Sequence, residues 1–339
     1  MSARAAAIAP ASGVPLPVRV AVVIPCFRVA AHVADVVRSI PPSYAPIICV
    51  DDASPDDVAG ALALLGDPRV VYRRHEHNRG VGGAVKTGWA EALERGADIV
   101  VKMDGDGQMH GEDLGALVAP LLDGSADAAK GNRFVDQRAL RAMPGVRLVG
   151  NALLSFGVKL VSGYWNVLDP TNGFVAMRAD LLRRLPLERL ADRYFFETSA
   201  LVELNIARAR VADVALPARY GDAPSSLRVR HVLASFPGRL LGGLLRRFYW
   251  RYLIEDFGVV SVAVLLGLPM VLFGGAFGGW HWAQSVHSGV PATAGTVFIA
   301  GLPIILGVQL LLVGLVLDVL ASPTVKRGRR AGERPLRPE

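Results

Sequence analysis

Cysteine is nearly absent from this chain of 339 residues: Cys26 and Cys49 are the only two, and no Cys-x-x-Cys motif or framework of pairs exists. That excludes a disulfide scaffold and a thiolate metal site, and leaves both thiols as small core residues in or beside strands. Residues 1–17 lack the unbroken apolar core of a secretory signal, being short pieces interrupted by proline, and read as a disordered leader. Over the first two hundred residues no basic run is interleaved with stacking aromatics, so a net charge of +7 does not describe a nucleic-acid groove. Much of the Lys and Arg excess lies after about residue 225, a distribution suited to an anionic membrane surface.

Apolar residues are plentiful, at 52% of the chain with a mean hydropathy of +0.35, and part of the chain belongs in lipid. From residue 18 to about 223 short apolar runs alternate with amphipathic stretches. Runs 20–24, 47–50, 70–72 and 99–103 read as strands buried on both faces, and 32–40 and 83–95 as helices between them. Such a series implies an α/β fold, a mostly parallel sheet with helices on both sides. Ligands then bind beyond the carboxyl ends of the strands, which directs attention to Pro25, Asp51, Asp52, Asp104 and Asp106.

The C-terminal third differs. Runs 257–279 and 296–321 are each long enough to cross a hydrocarbon core about 30 Å thick, and a two-helix transmembrane hairpin is the simplest account. Residues 280–294 between them contain no Lys or Arg. Arg246, Arg247 and Arg251 precede the first span, and Lys326, Arg327, Arg329 and Arg330 follow the second, so the α/β domain and both termini are expected on the cytosolic side of the inner membrane. Ahead of the hairpin, Phe236, Leu240, Leu244, Phe248 and Tyr252 recur every four residues among Arg239, Arg246, Arg247 and Arg251. This reads as an interfacial helix on anionic lipid, broken into pieces at Pro237/Gly238 and Gly242/Gly243, or else as a helix packed on the α/β domain with a solvated basic face. The expected organisation is a leader at 1–17, an α/β domain at 18–228, interfacial helices at 229–256, the hairpin at 257–321 and a basic tail at 322–339.

The sharpest local signal is residues 99–108, Ile-Val-Val-Lys-Met-Asp-Gly-Asp-Gly-Gln. A buried strand that ends in two carboxylates one residue apart is costly unless a cation neutralises them, and oxygen ligands suit Mg²⁺ or Mn²⁺. An ion held by Asp104 and Asp106 can bridge both phosphates of a nucleoside diphosphate, with Gln108 or His110 as a further contact and Gly105 and Gly107 leaving room for close backbone approach. Asp-Gly is equally ordinary turn chemistry, and the motif alone does not decide between the two. In residues 49–56, Asp51 and Asp52 can accept hydrogen bonds from a base or a ribose hydroxyl, while Ser54 and Asp56 read as a helix N-cap. Residues 78–88 enter a helix through glycines that match neither a phosphate-loop nor a dinucleotide spacing; Arg79 can reach a phosphate, and the glycines permit tight helix packing. Arg133, Arg147 with Asn151, Asp169, Glu197 and Arg219 each have a plain reading alone, as surface charges, a turn acid or an acid at a helix N-terminus.

Taken in order, Ile-Pro-Cys-Phe, Val-Asp-Asp-Ala-Ser-Pro-Asp, Asn-Arg-Gly-Val-Gly-Gly, Met-Asp-Gly-Asp-Gly-Gln, Gly-Asn-Arg-Phe, Asp-Pro-Thr-Asn-Gly-Phe, Tyr-Phe-Phe-Glu and Arg219 resemble the family 2 inverting glycosyltransferases, in their dolichol-phosphate-mannose synthase-like branch. The resemblance covers roughly residues 20–230 and implies the GT-A nucleotide-binding fold. It implies donor contacts at Pro25, Asp51, Asp52, Arg79 and Arg219, a metal triplet at Asp104, Asp106 and Gln108, and acceptor-phosphate contacts at Arg133, Arg147 and Asn151. Asp169 opens the segment equivalent to the family's Asp-x-Thr-Ser-Gly-Phe, with Asn172 in place of Ser. Two further departures are Asn151, where some relatives have Ser, and residues 221–227, where a lysine after Gly-x-Ser is missing and Arg228 is the available substitute.

The resemblance further implies metal-dependent transfer, with inversion, of a hexose from a GDP-mannose or UDP-glucose type of donor to polyprenyl phosphate, undecaprenyl or dolichyl. The product is a lipid-linked sugar for cell-envelope glycan or protein glycosylation; membrane lipid is the other partner, and a homo-oligomer is compatible. A phosphate monoester is already ionised near neutral pH, so catalysis rests on positioning and on stabilising the departing diphosphate, and Asp169 is either a base or an orienting group. A processive polysaccharide synthase would carry Gln-x-x-Arg-Trp, whereas Tyr249 precedes Trp250 here. A non-catalytic adaptor keeping the fold would need less charge than Asp104 and Asp106 supply. A transporter fails because two spans with Asp318 near one end offer no midplane pathway. Another lipid or glycan acceptor is the enzymatic alternative.

Overall fold

The computed structural model describes residues 18–133, 145–217 and 229–325, with backbone alone at 145–149, 151 and 229–235. The leader, Arg219, Arg228 and the basic tail beyond residue 325 lie outside the described residues.

Seven strands form one sheet in the order β3-β2-β1-β4-β6-β5-β7. They are β1 (Val20–Cys26), β2 (Ile47–Asp51), β3 (Val70–Arg74), β4 (Ile99–Lys102), β5 (Ala128–Asn132), β6 (Val175–Arg178) and β7 (Val211–Ala215). Every pairing is parallel except those of β6 with β4 and β5. Helices α1 (Ala30–Ser39), α2 (Val58–Leu65), α3 (Val81–Glu94), α4 (Leu114–Leu122), α5 (Gly145–Ser162) and α6 (Phe196–Ile206) accompany them. The two-residue period of β1 divides the core: Val20, Val22 and Ile24 meet Val33, Val37 and Leu117 on one face, and Ala21 and Val23 meet Val85, Trp89 and Leu201 on the other.

Within the α/β domain three sequence expectations need correction. Residues 70–72 do not form a strand buried on both faces; β3 has one neighbour, β2, and as an edge strand it is half-buried and carries exposed Arg73 and Arg74. Pro25 lies inside β1 and not after it, at no cost to the ladder, because β4 pairs with β1 only as far as Val23 opposite Lys102. Ser54 and Asp56 do not cap the helix that follows them. Asp57 caps α2 through the Gly60 N–H, whereas the Asp56 carboxylate accepts from the Ala30 N–H of α1 and Ser54 Oγ from the Arg28 N–H. They tie the start of a neighbouring helix to the loop after β2.

Both cysteines are buried and free, as their isolation suggested. The glycines of α3 are packing residues: a methyl group at Gly88 would collide with Val23 of β1, and one at Gly82 with the Ala191 carbonyl. Gly88→Ala should therefore cost about 1–3 kcal/mol through overpacking, read as a lower thermal midpoint. An unchanged midpoint would mean that α3 can move off the sheet freely.

A second compact unit spans Gly242–Ser322. Leading into it, α7 (Val229–Arg247) runs unbroken through Pro237 and both glycine pairs and passes into a π-helical stretch, Phe248–Glu255. The expected breaks do not occur: a proline deletes one N–H and each glycine costs about 1 kcal/mol, sums that packing outweighs. Phe236 and Tyr252, at the ends of the expected apolar stripe, are buried, while Leu241, Leu245, Tyr249, Trp250 and Ile254 are exposed. Arg247 is buried too, and its guanidinium holds both oxygens of Asp318 at 2.6 and 3.0 Å.

Asp318 lies near the end of α9 (Ala294–Leu320), which packs against α8 (Val259–Ser288). Small residues let the two backbones approach, since a methyl at Gly267 would lie 2.9 Å from the Gly307 carbonyl. Both helices are long and apolar enough to cross a bilayer, with only 22% and 11% of their most apolar windows buried, and such apolar flanks mark a membrane protein. The first runs nine residues further than its apolar stretch, to Ser288, and places exposed Trp280 and Trp282 in its last turns. Asp318→Ala would take both carboxylate oxygens from the buried Arg247 guanidinium and should cost about 3–5 kcal/mol. Melting of the detergent-solubilised chain checks this, and a wild-type midpoint would contradict it.

Candidate active site

The chain runs from β1 outward to β2 and β3, then returns to the other side of β1 as β4. Strand order therefore reverses between β1 and β4, and a crevice opens at their carboxyl ends. Register places Cys26 beside Asp51 and Val23 beside Lys102, so the acids after β2 and after β4 reach the same sheet edge.

The β2 acids are committed to protein donors. Asp51, fully buried, accepts from the Ser54 N–H, from the Tyr72 hydroxyl at 2.7 Å and from Arg74 at 2.6 Å. Asp52 accepts from the N–H groups of Arg79 and Gly80 at 2.9 and 2.7 Å and lies 2.7 Å from His75 Nδ1. Its carboxylate thus fixes the glycine-rich entry to α3, where Gly80 has a positive φ of 90°. Arg79 is exposed there, lining an open cleft of about 510 Å³ with His77, Asn78, Asp192, Arg193 and Arg239.

The β4 acids differ from each other. Asp104 Oδ1 is 2.8 Å from Lys102 Nζ, which is also 3.2 Å from Glu197 Oε1. Burial alone would lower the pKa of the Lys102 ammonium, but the two carboxylates outweigh it and hold that pKa above the ordinary lysine range. Asp106 has no ion-pair partner among the described residues; the Gln108 N–H donates to its Oδ1 at 3.0 Å. Burial raises its pKa, the Gln108 N–H opposes this, and the charge of Asp104 adds to the rise. Gly107, at a φ of 78°, makes the turn that returns the Gln108 N–H to Asp106.

A divalent ion would be chemically suited to this pair. Among the described residues no three His, Cys, Asp or Glu side chains gather as a metal set, so the protein offers carboxylates from Asp104 and Asp106. Hard ions such as Mg²⁺ are commonly held by one or two carboxylates while phosphates and water complete the shell. An under-compensated carboxylate beside an ion-paired one fits that requirement.

Asp169 is fully buried, and Arg133 Nε donates to its Oδ2 at 2.8 Å, with Thr171 Oγ1 donating to Oδ1 at 3.3 Å. The loop that carries it is pinned by Asp213, which accepts from the Leu168 N–H and from Asn132. Asn172, the departure from the family's Ser, donates to the Gly131 carbonyl and accepts from the Phe174 N–H, so the longer amide stitches this loop to β5. Gly173 abuts Asp104, where a methyl would fall 2.5 Å from Oδ2. Asp169 and Arg133 are thereby brought together, and the next residues of the loop reach the β4 acids. Arg147 and Asn151 lie on α5, described there by backbone alone.

Lys102, its pairing with Glu197, and Lys130 were missed by sequence reasoning. The signal was a lysine within an apolar strand run, since a charge buried there requires a partner. Glu197 does occupy the first turn of α6, as expected.

Residues 21–185 match the model of glycosyl transferase family 2. The chain belongs to that family and is a glycosyltransferase. It is 30% identical over 229 residues to a UDP-N-acetylglucosamine--dolichyl-phosphate N-acetylglucosaminyltransferase of Methanococcus voltae, covering 63% of this chain and 90% of that protein. It is 34% identical over 156 residues to polyprenol monophosphomannose synthase of Mycolicibacterium smegmatis, covering 44% and 58% of the two chains. It is 33% identical over 169 residues to undecaprenyl-phosphate mannosyltransferase of Micrococcus luteus, covering 49% and 66%. Among solved structures, glucosyl-3-phosphoglycerate synthase from Mycobacterium tuberculosis, in complex with Mn²⁺, UDP and glucosyl-3-phosphoglycerate, superposes with a TM-score of 0.51 at 23% identity, covering 68% and 80% of the chains. That likeness establishes the GT-A type of fold.

Lys130 predicts a pH dependence. Burial pushes its pKa down to about 8, against the attraction of Glu197 and Asp169, while its ammonium donates to the Asn172 carbonyl. The folded chain then binds fewer protons than the unfolded one between pH about 8 and the free-lysine value of about 10.4, so this group makes stability rise with pH across that window and is unfavourable below it. Lys130→Met should flatten that rise, measured as thermal midpoints from pH 7.5 to 10.5. An identical slope in the variant would contradict the assignment.

Proposed function

We propose that this glycosyltransferase transfers a hexose from a nucleotide sugar to polyprenyl phosphate at a membrane surface, with Asp104 and Asp106 holding Mg²⁺ or Mn²⁺ against the donor diphosphate. The observation that carries the metal reading is Asp106: a largely buried carboxylate whose pKa is raised by that burial, next to an ion-paired Asp104 and without an ion pair of its own among the described residues. The acceptor reading is supported by three relatives named for dolichyl, polyprenol or undecaprenyl phosphate, and by two helices apolar enough to span a bilayer.

In this reading the ion, when bound, neutralises charge on the departing nucleoside diphosphate. The β2 acids shape the donor side indirectly: Asp51 holds Tyr72 and Arg74, and Asp52 holds the backbone at Arg79 and Gly80. Pro25, Arg79 and Arg219 complete that side, and Gln108 anchors Asp106 through its backbone. Arg133, Arg147 and Asn151 receive the acceptor phosphate. Asp169 orients Arg133 and does not serve as a free base, because its carboxylate is engaged by the guanidinium and a phosphate acceptor needs little deprotonation. The arginines flanking the two apolar helices support a cytosolic catalytic domain in this reading, on the face where a polyprenyl phosphate headgroup would be met.

Membranes bearing the chain, incubated with polyprenyl phosphate, Mg²⁺ or Mn²⁺ and radiolabelled GDP-mannose, UDP-glucose or UDP-N-acetylglucosamine, test this. Label should enter lipid from one donor, and Asp106→Asn or chelation should reduce it by about a hundredfold or more. Equal labelling by Asp106→Asn would sink the metal role, and no transfer from any nucleotide sugar would sink the acceptor assignment.

A further inference from the structure

The two acids after β4 share their surroundings with a cation that the protein itself supplies. Lys102 is the last residue of β4 and is 2% exposed; its Nζ lies between Asp104 Oδ1 at 2.8 Å and Glu197 Oε1 at 3.2 Å. It has nowhere else to go. Gly173 closes against it on one side, where even a methyl group would collide with Nζ. On another lies a cavity of about 10 Å³, roughly the space of one water, lined by Lys102, Lys130, Glu197 and apolar side chains including Trp89 and Phe196. The ammonium is therefore a fixed positive charge in contact with one of the two acids.

We propose that Lys102 acts as an electrostatic gate on this site, keeping the acidic pair too weakly negative to bind a free divalent cation tightly, so that the cation loads together with the diphosphate. The inference rests on the metal reading of Asp104 and Asp106. Asp104 and Asp106, with the one ammonium in contact with Asp104, present about one net negative charge, and the ammonium repels an arriving cation at short range. A nucleoside diphosphate carries its own negative charge and reverses that balance. Glu197 sets the strength of the gate by partly neutralising Lys102 from the other side. Both are positioning residues, acting through Asp104. At an effective dielectric constant of about 20, a unit charge this close changes affinity for a divalent ion by more than tenfold, even after allowance for the exposed part of Asp104.

Mn²⁺ binding to the purified full-length chain in detergent, read by electron paramagnetic resonance of the free ion with and without UDP or GDP, tests this without any turnover. Wild type should bind Mn²⁺ weakly alone and at least about tenfold more tightly with one of the nucleotides. Lys102→Met should tighten nucleotide-free binding by about tenfold and shrink the effect of the nucleotide. Glu197→Gln, which leaves the lysine charge less compensated, should weaken nucleotide-free binding and enlarge that effect. A lysine that merely braced Asp104 would give the opposite sign in Lys102→Met, and that result, or an unchanged affinity, overturns the gate. Should Lys102→Met not fold, Glu197→Gln still decides, because a brace would leave the ratio of affinities with and without nucleotide unchanged. Wild type that binds Mn²⁺ under none of these conditions overturns the metal reading together with the gate, whereas normal wild-type binding with an unaltered Lys102→Met overturns the gate alone.

Discussion

A carboxylate at the carboxyl edge of a buried parallel sheet must be given a positive partner or a set of donors, and the site is organised by how that requirement is met. Asp51 has Arg74 and the Tyr72 hydroxyl, Asp52 has His75 and two backbone N–H groups, Asp104 has Lys102, and Asp169 has Arg133. Asp106 has a backbone donor from Gln108. The other acids hold loops in place, and the compensation they receive makes the shortfall at Asp106 meaningful. A uniformly uncompensated cluster would signal a poor fold; one deficient acid in an otherwise satisfied edge is suited to an incoming cation.

The same requirement explains what was legible beforehand. Apolar runs at 20–24, 47–50 and 99–103 mark the central strands because burial on both faces leaves no other reading, and the acids that follow them fall at the sheet edge as expected. Edge character is not written in a strand, so residues 70–72 read as buried on both faces although β3 is a half-buried edge strand. Partners far apart in sequence are also hidden: nothing near Lys102 announces Glu197, 95 positions on, and nothing near Asp169 announces Arg133 as its partner. Ser54 and Asp56 show that a capping composition can be recognised while the helix it serves is misassigned, since α1 lies close only in space.

In the second unit, length and hydropathy identified both long apolar helices, but the roles of the arginines before them needed tertiary information. Arg247 and Arg251 read as charges on a lipid-facing helix, yet Arg247 is buried against Asp318 and Arg251 donates to the Ala321 carbonyl. A basic residue near a span end satisfies the composition rule for the cytosolic side whether it faces lipid or an acid of the neighbouring helix. Composition reports only the side of the membrane, and packing reports the contact. Two helices long and apolar enough to cross a bilayer also suit an enzyme whose proposed acceptor carries its phosphate at the headgroup level.

The central claim is that Asp104 and Asp106 hold a divalent cation against the donor diphosphate. An anomalous-scattering map from crystals of the full chain grown with Mn²⁺ and UDP or GDP tests it most directly. The account predicts one peak within about 2.5 Å of carboxylate oxygens from both residues and of oxygens from both phosphates. A peak bound by nucleotide alone and remote from Asp106, or a nucleotide seated in the crevice with no peak beside the pair, would contradict it.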